Sequence, residues 1–347
     1  MNSSLAKGVC RVCGRPLFEV PLFRFTGMPS VAQNFPDQDS LSEDRGADFE
    51  VAQCSGCGLV QLPREPVAYY RDVIRAAGVS PEMTSHRHEQ FASFTRTFEL
   101  AGKPVIEIGC GGGEYLQMLR DAGLSAVGLE HSKAGVAACR AKGLRVYQGF
   151  VDSARYQIPG APYAGFVMLS CLEHLPDVNG ALQGLGHNLL PGAIGMVEVP
   201  NFDNCLAERA VAEFMTDHLS YFTRDSLATT LQLNGFEVLE CRPTGHDYLL
   251  TAIVRRRTPH SVAAFHQVTQ QLDAASTPFW ASLASARWWP GARGTTPWRP
   301  SPCIDCSIAS PTWWTPRPSS RGASRRPPTC RCTPPSGSST TRPFKRS

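Results

Sequence analysis

Four cysteines announce chemistry by their spacing. Cys10-x-x-Cys13-Gly14 and Cys54-x-x-Cys57-Gly58 are two copies of one unit. Two such knuckles deliver four thiolates to a tetrahedron, the geometry Zn²⁺ accepts, and the glycine after each second cysteine permits the tight turn. No coordination position is left open, so the expected ion is structural. Four ordinary buried cysteines are the plainer reading, and two CxxCG units in one short segment weigh against it.

A second constellation is Glu107-Ile-Gly109-Cys-Gly111-Gly-Gly113, between an apolar run and a helical stretch. Glycines there let a ligand approach the backbone at a helix N-terminus. A dinucleotide fingerprint needs Gly or Ala at position 114, where this chain has Glu114. Glu107, at the end of its strand, suits a cationic, amine-bearing ligand such as S-adenosylmethionine. Glu130 closes the next strand, where a carboxylate takes both ribose hydroxyls. The alternative is a plain glycine turn beside a surface glutamate.

Two acid–histidine pairs follow. Glu173-His174 lies in Ser170–Asp177, just after a strand and so at the carboxyl edge where such sheets bind ligands. A catalytic role and a role in ordering the loop are both open to it. Asp217-His218, with Tyr221 nearby, is the other pair. A histidine beside a carboxylate is poised as a general base near neutral pH, whereas a solvated surface histidine does nothing.

Elements must position these groups. Residues 1–65 read as short strands and turns, and Tyr69–Leu100 as helical, with Phe91, Phe94 and Phe98 on one face. Strand candidates begin at Val105 and at Ser125–Glu130, Phe166–Ser170, Gly195–Val199 and Phe236–Glu240. Helices are expected at Glu114–Ala122 and Lys133–Lys142, and Ile253–Thr258 is a possible closing strand. Strands alternating with helices predict a parallel sheet covered on both faces.

Charge divides the chain. Arg287–Ser347 holds eleven Lys/Arg and one acid, Asp305, which leaves a net −6 for residues 1–286. That acidic part argues against a nucleic-acid partner, because phosphate contacts need Lys/Arg surfaces. No run of ~18 apolar residues predicts a membrane span. The N-terminus lacks the regions of a signal peptide, so a cytoplasmic location with reduced cysteines is expected.

The segment after 286 also carries five of the six Trp and twelve of the 28 Pro. Disordered tails are rich in Pro but poor in Trp, which points to translation in the wrong frame. If each codon is regrouped from its last base, Trp313-Trp314-Thr315 must encode Val-Asp, and the codons before it allow Tyr-Val. Trp288-Trp289-Pro290 must encode Val-Ala, followed by a permitted Trp-Gly-Ala-Gly. A frameshift near Ala286 is expected, and the metal-like spacings at Cys303/Cys306 and Cys330/Cys332 are rejected with the tail.

Taken together, CRVCG, CSGCGLVQL, VIEIGCGGGEYL, CLEHLPD, VEVPNFD and DHLSYFT followed by NGFEV resemble a known family. It is the class I S-adenosylmethionine-dependent methyltransferases with an N-terminal zinc-binding domain, typified by sugar C-methyltransferases acting on nucleotide-linked keto sugars. The likeness covers about residues 8–258 and extends weakly to about 285. It implies an α/β fold, a Rossmann-like doubly wound sheet with a small zinc-ribbon-like domain and a disordered tail. The expected domains are 1–68 (zinc-binding), 69–100 (helical linker), 101–258 (cofactor-binding), 259–286 (start of a truncated domain) and 287–347 (frameshifted tail). A third, Rossmann-like domain follows in that family, with a Trp-Gly-Ala-Gly turn and a Tyr-Val-Val-Asp strand, the words the shifted frame permits.

The resemblance further implies that Gly109, Gly111 and Glu130 hold S-adenosylmethionine, with Glu107 behind them and Ser170 and Cys171 near the sulfonium. His218 matches the family's base, in a pair where Asp217 replaces the usual Glu. The family's tyrosine three positions earlier falls on Met215, and its linker tyrosine has only Ser85, His86 or His88 in its place. The implied activity is C-methylation of a nucleotide-linked keto sugar through an enolate, with Zn²⁺ as structural ion and a small molecule as substrate. Three rivals stand beside it: an O- or N-methyltransferase of a small molecule, a zinc-ribbon RNA-binding module attached to a methyltransferase fold, against which the net −6 of residues 1–286 argues, and a catalytically dead remnant that binds the cofactor.

Overall fold

The structure is a computed structural model, and it describes residues 8–33, 36–73, 80–271 and 274. Its centre is a sheet whose inner strands are short apolar runs buried on both faces, as parallel strands require, while the edge strands are part-exposed. Seven strands form it: β4 (Pro104–Ile108), β5 (Ser125–Glu130), β6 (Val146–Gln148), β7 (Tyr163–Leu169), β8 (Leu189–Pro200), β10 (Phe236–Thr244) and β11 (Leu249–Arg256). Their order is β10-β11-β8-β7-β4-β5-β6. The pairs from β8 to β6 are all parallel.

Alternating side chains split the core. Val105, Val167 and Met196 face α1 (Pro81–Thr97), α2 (Glu114–Asp121) and α3 (Lys133–Ala141). Ile106, Phe166 and Val197 face α4 (Val178–His187) and α6 (Arg224–Leu233). A doubly wound sandwich follows from that alternation.

The sheet departs from the all-parallel expectation at one strand. β11 runs antiparallel between β8 and β10. Only Gly245–Tyr248 separates it from β10, and a connection that short makes a hairpin, since parallel neighbours need a crossover of a dozen residues or more. The possible closing strand at Ile253–Thr258 is therefore β11, starting four residues earlier.

The helical stretch expected from Tyr69 is shorter too. α1 begins at Pro81, where Ser80 caps it by accepting from Met83 N at 3.1 Å and proline occupies the first turn. Tyr69–Arg71 is a turn. One buried ion pair fastens α1 to the sheet: Arg87 grips Glu198 of β8 through both guanidinium nitrogens, and Thr251 of β11 donates to the same carboxylate at 3.0 Å.

The N-terminal segment forms a second sheet of β1 (Phe23–Met28), β2 (Ala47–Gln53) and β3 (Val60–Gln61). Its fourth strand comes from far along the chain. β9 (Ser220–Tyr221), which follows α5 (Phe202–Ala207), pairs Val60 with Tyr221 and Gln61 with Ser220. Phe49, Val51, Phe202, Phe214 and Tyr221 form the core beneath it. Arg11 adds a second tie, because its guanidinium donates to the carbonyls of Leu62 at 2.9 Å and Pro176 at 3.2 Å.

Met1–Ala264 forms one compact unit and Phe265–Ser347 a second, of which residues 265–271 and 274 are described, as helix. The expected frameshifted tail at 287–347, with Cys303, Cys306, Cys330 and Cys332, lies outside the described residues. Among the described residues no helix is long and apolar enough to cross a membrane.

Candidate active site

The glycine turn leaves β4 at its carboxyl end. Gly109 has φ +69°, and a Cβ there would sit in left-handed backbone 3.6 Å from Cys171 Sγ. Gly113, at φ +86°, opens α2, where a Cβ would meet Cys139 Sγ at 2.9 Å. The turn thus requires glycine for conformation and for space. Glu130, at the tip of β5, accepts from Gly111 N at 2.8 Å and from Ser132 N at 2.7 Å. Each oxygen keeps a second lone pair, which is what a pair of ribose hydroxyls would use. Glu107 is fully buried beneath the turn.

These groups open on a cavity of about 600 Å³, large enough for a nucleoside-sized ligand. Gly109, Gly111, Glu130, Ser170 and Cys171, all singled out from sequence, line it together. Ser170 holds φ +47°, an uncommon conformation for a residue with a side chain, while its amide donates to Glu198 O at 2.8 Å. Other parts of the wall were not singled out. Arg71 packs over Phe150 at 5.1 Å, and His131 meets Asp72 at 2.9 Å. Phe150 follows the carboxyl end of β6, so the rule that ligands bind at that edge would have found it.

His174 also lines this cavity, and His218 does not. His218 lines a second one of about 210 Å³, with Asn201, Tyr221 and Tyr248. The two imidazoles meet edge to face, centroids 4.7 Å apart, each less than a tenth exposed. A solvated surface histidine at 218 is therefore excluded. Burial, and then the neighbouring His174, pushes the His218 pKa well below the usual histidine range and keeps the ring neutral.

Asp217 does not face its sequence neighbour. Its carboxylate lies 3.9 Å from His174 Nδ1, and its backbone carbonyl accepts from that nitrogen at 3.0 Å. That bond leaves His174 Nε2 as the basic nitrogen, 3.8 Å from Glu173 Oε1. Burial pushes the Glu173 carboxyl up. The expected pair is thus a cluster of four: Glu173, His174, Asp217 and His218. Met215, in the family's tyrosine position, offers only its backbone, bonded at both N–H and C=O to the Tyr221 hydroxyl at 3.2 Å. Of the three linker candidates, Ser85 and His88 are exposed and His86 is half-buried.

The four cysteines converge as their spacing demands. Cys10 and Cys57 sulfurs lie 3.5 Å apart, Cys13 and Cys54 sulfurs 3.4 Å, and all four lie within 4.8 Å of one another. A tetrahedral ion with sulfur ligands at about 2.3 Å needs sulfurs about 3.8 Å apart, so the set fits a divalent metal. Amides of Gly56 and Val12 donate to Cys54 and Cys10 sulfurs at 3.2 and 3.4 Å, bonds that steady thiolates. Burial pushes the Cys10 thiol up to about 11.

Known proteins bear on this geometry. Residues 83–241 match the family described as a methyltransferase domain. The chain is 26% identical over 242 residues to the C-methyltransferase NovU of Streptomyces niveus, a likeness covering 67% of this chain and 56% of that one. It is 32% identical over 101 residues to a probable S-adenosylmethionine-dependent methyltransferase of Mycolicibacterium smegmatis, covering 29% of this chain and 39% of the relative. The chain thus spans about half the length, or less, of these curated relatives. Among solved structures, the glycopeptide N-methyltransferase MtfA complexed with S-adenosyl-L-methionine is similar at 18% identity and a TM-score of 0.41, over 54% of this chain and all of that one. Over residues 83–241, then, this doubly wound chain is similar to a methyltransferase domain.

Proposed function

We propose that this chain, built around that domain, is a C-methyltransferase acting on the carbon beside a ketone, with a nucleotide-linked keto sugar as substrate. The observation that carries the reading is the buried, neutral His218, in van der Waals contact with a second histidine that borders the cofactor cavity. Likeness to a C-methyltransferase over two thirds of the chain supports it.

When bound, S-adenosylmethionine supplies an electrophilic methyl on its sulfonium. The chain's own groups do the rest. Gly109 and Gly111 let the cofactor lie against the backbone, Glu130 takes the ribose hydroxyls, and Glu107, Ser170 and Cys171 border the amino-acid and sulfonium end. His218 removes the proton next to the ketone, since a ring kept neutral by burial is competent at neutral pH. Asp217 assists through His174, whose ring it orients. Alignment of carbon and methyl would supply much of the rate.

Zn²⁺ held by Cys10, Cys13, Cys54 and Cys57 is structural in this reading: it fixes Arg11, which in turn holds the loop carrying His174 through Pro176 O. Residues 287–347 are proposed to be out of frame, so that a third domain is missing from the chain. An uninterrupted reading frame in the gene across Ala286 would refute that.

The decisive experiment is deuterium wash-in from D₂O into a keto sugar, without methyl transfer, using the frame-restored protein. Exchange that His218→Ala abolishes is the expected result. Methylation without exchange would favour an O- or N-methyltransferase. Binding of S-adenosylhomocysteine with neither exchange nor transfer would leave the dead remnant.

A further inference from the structure

Two cysteines outside the metal cluster meet under the glycine turn. Cys110 is the turn's second residue and borders the 600 Å³ cavity, while its sulfur is buried beneath the turn beside Gly128. Cys139 lies on the inner face of α3. Both are free thiols, nearly unexposed, with sulfurs 3.9 Å apart although 29 residues separate them in sequence. Glycines make the room: a Cβ on Gly128 would overlap Cys110 Sγ, and one on Gly113 would crowd Cys139 Sγ.

The pair is wired to the ligand-facing atoms. Cys139 Sγ–H donates to the Gly111 carbonyl at 3.3 Å, and the Gly111 amide donates to Glu130 at 2.8 Å. Lys142 fixes the next carbonyl, Gly112 O, at 2.7 Å. The Cys110 hydrogen bond holds the Cys139 thiol below its ordinary value despite burial, and Lys142 contributes in the same sense. Such a thiol is the reactive partner of a pair.

We propose that Cys110 and Cys139 form a peroxide-sensitive thiol pair, whose oxidation to a disulfide closes the glycine turn to S-adenosylmethionine. This rests on reading that cavity as the cofactor site. The Cys139 sulfur, the more acidic of the two, attacks a peroxide oxygen and becomes a sulfenic acid, releasing one water. The Cys110 sulfur, 3.9 Å away, then attacks that sulfenic sulfur, forms the S–S bond and expels a second water. Two thiols lose two electrons and two protons, and one hydrogen peroxide becomes two waters. A disulfide needs its sulfurs about 2.05 Å apart, so the turn and α3 must approach. The bond to Gly111 O is lost in the process, and the amide that braces Glu130 moves with it. Cofactor in the cavity holds the turn against that approach and slows the reaction.

The test treats the frame-restored, metal-loaded protein with hydrogen peroxide, maps its peptides by mass spectrometry, and titrates S-adenosylhomocysteine by calorimetry before and after. A Cys110–Cys139 linked peptide is expected, with affinity at least tenfold weaker, restored by dithiothreitol. Pre-bound S-adenosylhomocysteine should slow the linkage. Cys139→Ser retains a donor for Gly111 O and should keep its affinity through the treatment, and Cys139→Ala serves if the serine variant does not fold.

Absence of the linked peptide overturns the proposal, as does linkage with unchanged affinity. An equal loss in the Cys139 variants overturns it too, since the damage would then lie elsewhere, the four metal-spaced cysteines included. If the reduced protein binds no S-adenosylhomocysteine, the cofactor reading fails by itself, and the ligand half of this proposal with it. The peptide map reports the bond in either case.

Discussion

The glycine turn and the histidine pair sit at the same edge of one sheet and are made of opposite materials. The turn presents backbone amides and one carboxylate, Glu130, whose oxygens already hold two of those amides. Nothing in that arrangement needs to change its charge for a ligand to bind. The histidine cluster presents four titratable side chains, each under a tenth exposed: Glu173, His174 and His218 bring their polar atoms within 4.8 Å of one another, and the Asp217 carboxylate lies 3.9 Å from His174. Pre-formed dipoles favour binding, whereas mutually perturbed acids and bases favour proton movement. On the proposed function, recognition and reaction are separated along the edge, and His174 is the residue where they meet.

The sharpest way to break that division is His218→Ala. Loss of a positioned base should lower turnover by about 10²–10⁴-fold, with S-adenosylhomocysteine affinity within twofold of the parent by calorimetry. An equal loss of both would merge the two regions. Next comes Glu130→Ala, which should weaken S-adenosylhomocysteine by roughly 10–100-fold, the worth of charge-assisted hydrogen bonds at about 1.5–3 kcal/mol. Exchange of the substrate proton should survive in that variant.

Arg11→Met probes the support behind the histidines. It strands the carbonyls of Leu62 and Pro176, and each buried orphan costs about 1–3 kcal/mol. A lower melting temperature and lower turnover are expected, with cofactor affinity little altered. The smallest effect is a pH slope. His218 has a lower pKa folded than unfolded, so the unfolded chain takes up its proton first as pH falls. Stability from this group is full above about 6.5, the unfolded value, and declines below it. Thermal melts from pH 7.5 to 5.5 should show the decline, and His218→Gln should flatten it.

Legibility from sequence followed the same division. Glu107 to Glu130 is one strand–turn–helix–strand unit, so local patterning sufficed to place Gly109, Gly111 and Glu130 on one cavity. The histidine cluster joins the turn after β7 to the segment before β9, 44 positions from His174 to His218, and no local pattern says which carboxylate faces which ring. Asp217 was matched with its neighbour His218, yet the chain direction at that point turns its carboxylate toward His174. The same limit applies to β11, whose direction is decided by a four-residue turn, and to Tyr69–Leu100, where an apolar face persists across a stretch that Ser80 and Pro81 cut. Arg87 and Glu198 were invisible for a further reason: a charged residue inside a helix or strand reads as solvated unless its partner is known.

One feature of the small sheet constrains how this protein can be rebuilt. β9 is only two residues long and lies immediately after His218, with its register set by Val60 and Gln61. The cysteine lobe is therefore not an exchangeable module. A chimera joined at residue 68, taking residues 1–68 from a relative, would supply a foreign edge for Ser220 and Tyr221 to pair with. A slip of one residue there would turn Tyr221 to the opposite face and swing His218 with it. Inheritance of the lobe and of the segment carrying His218 must go together, although about 150 residues of chain lie between them.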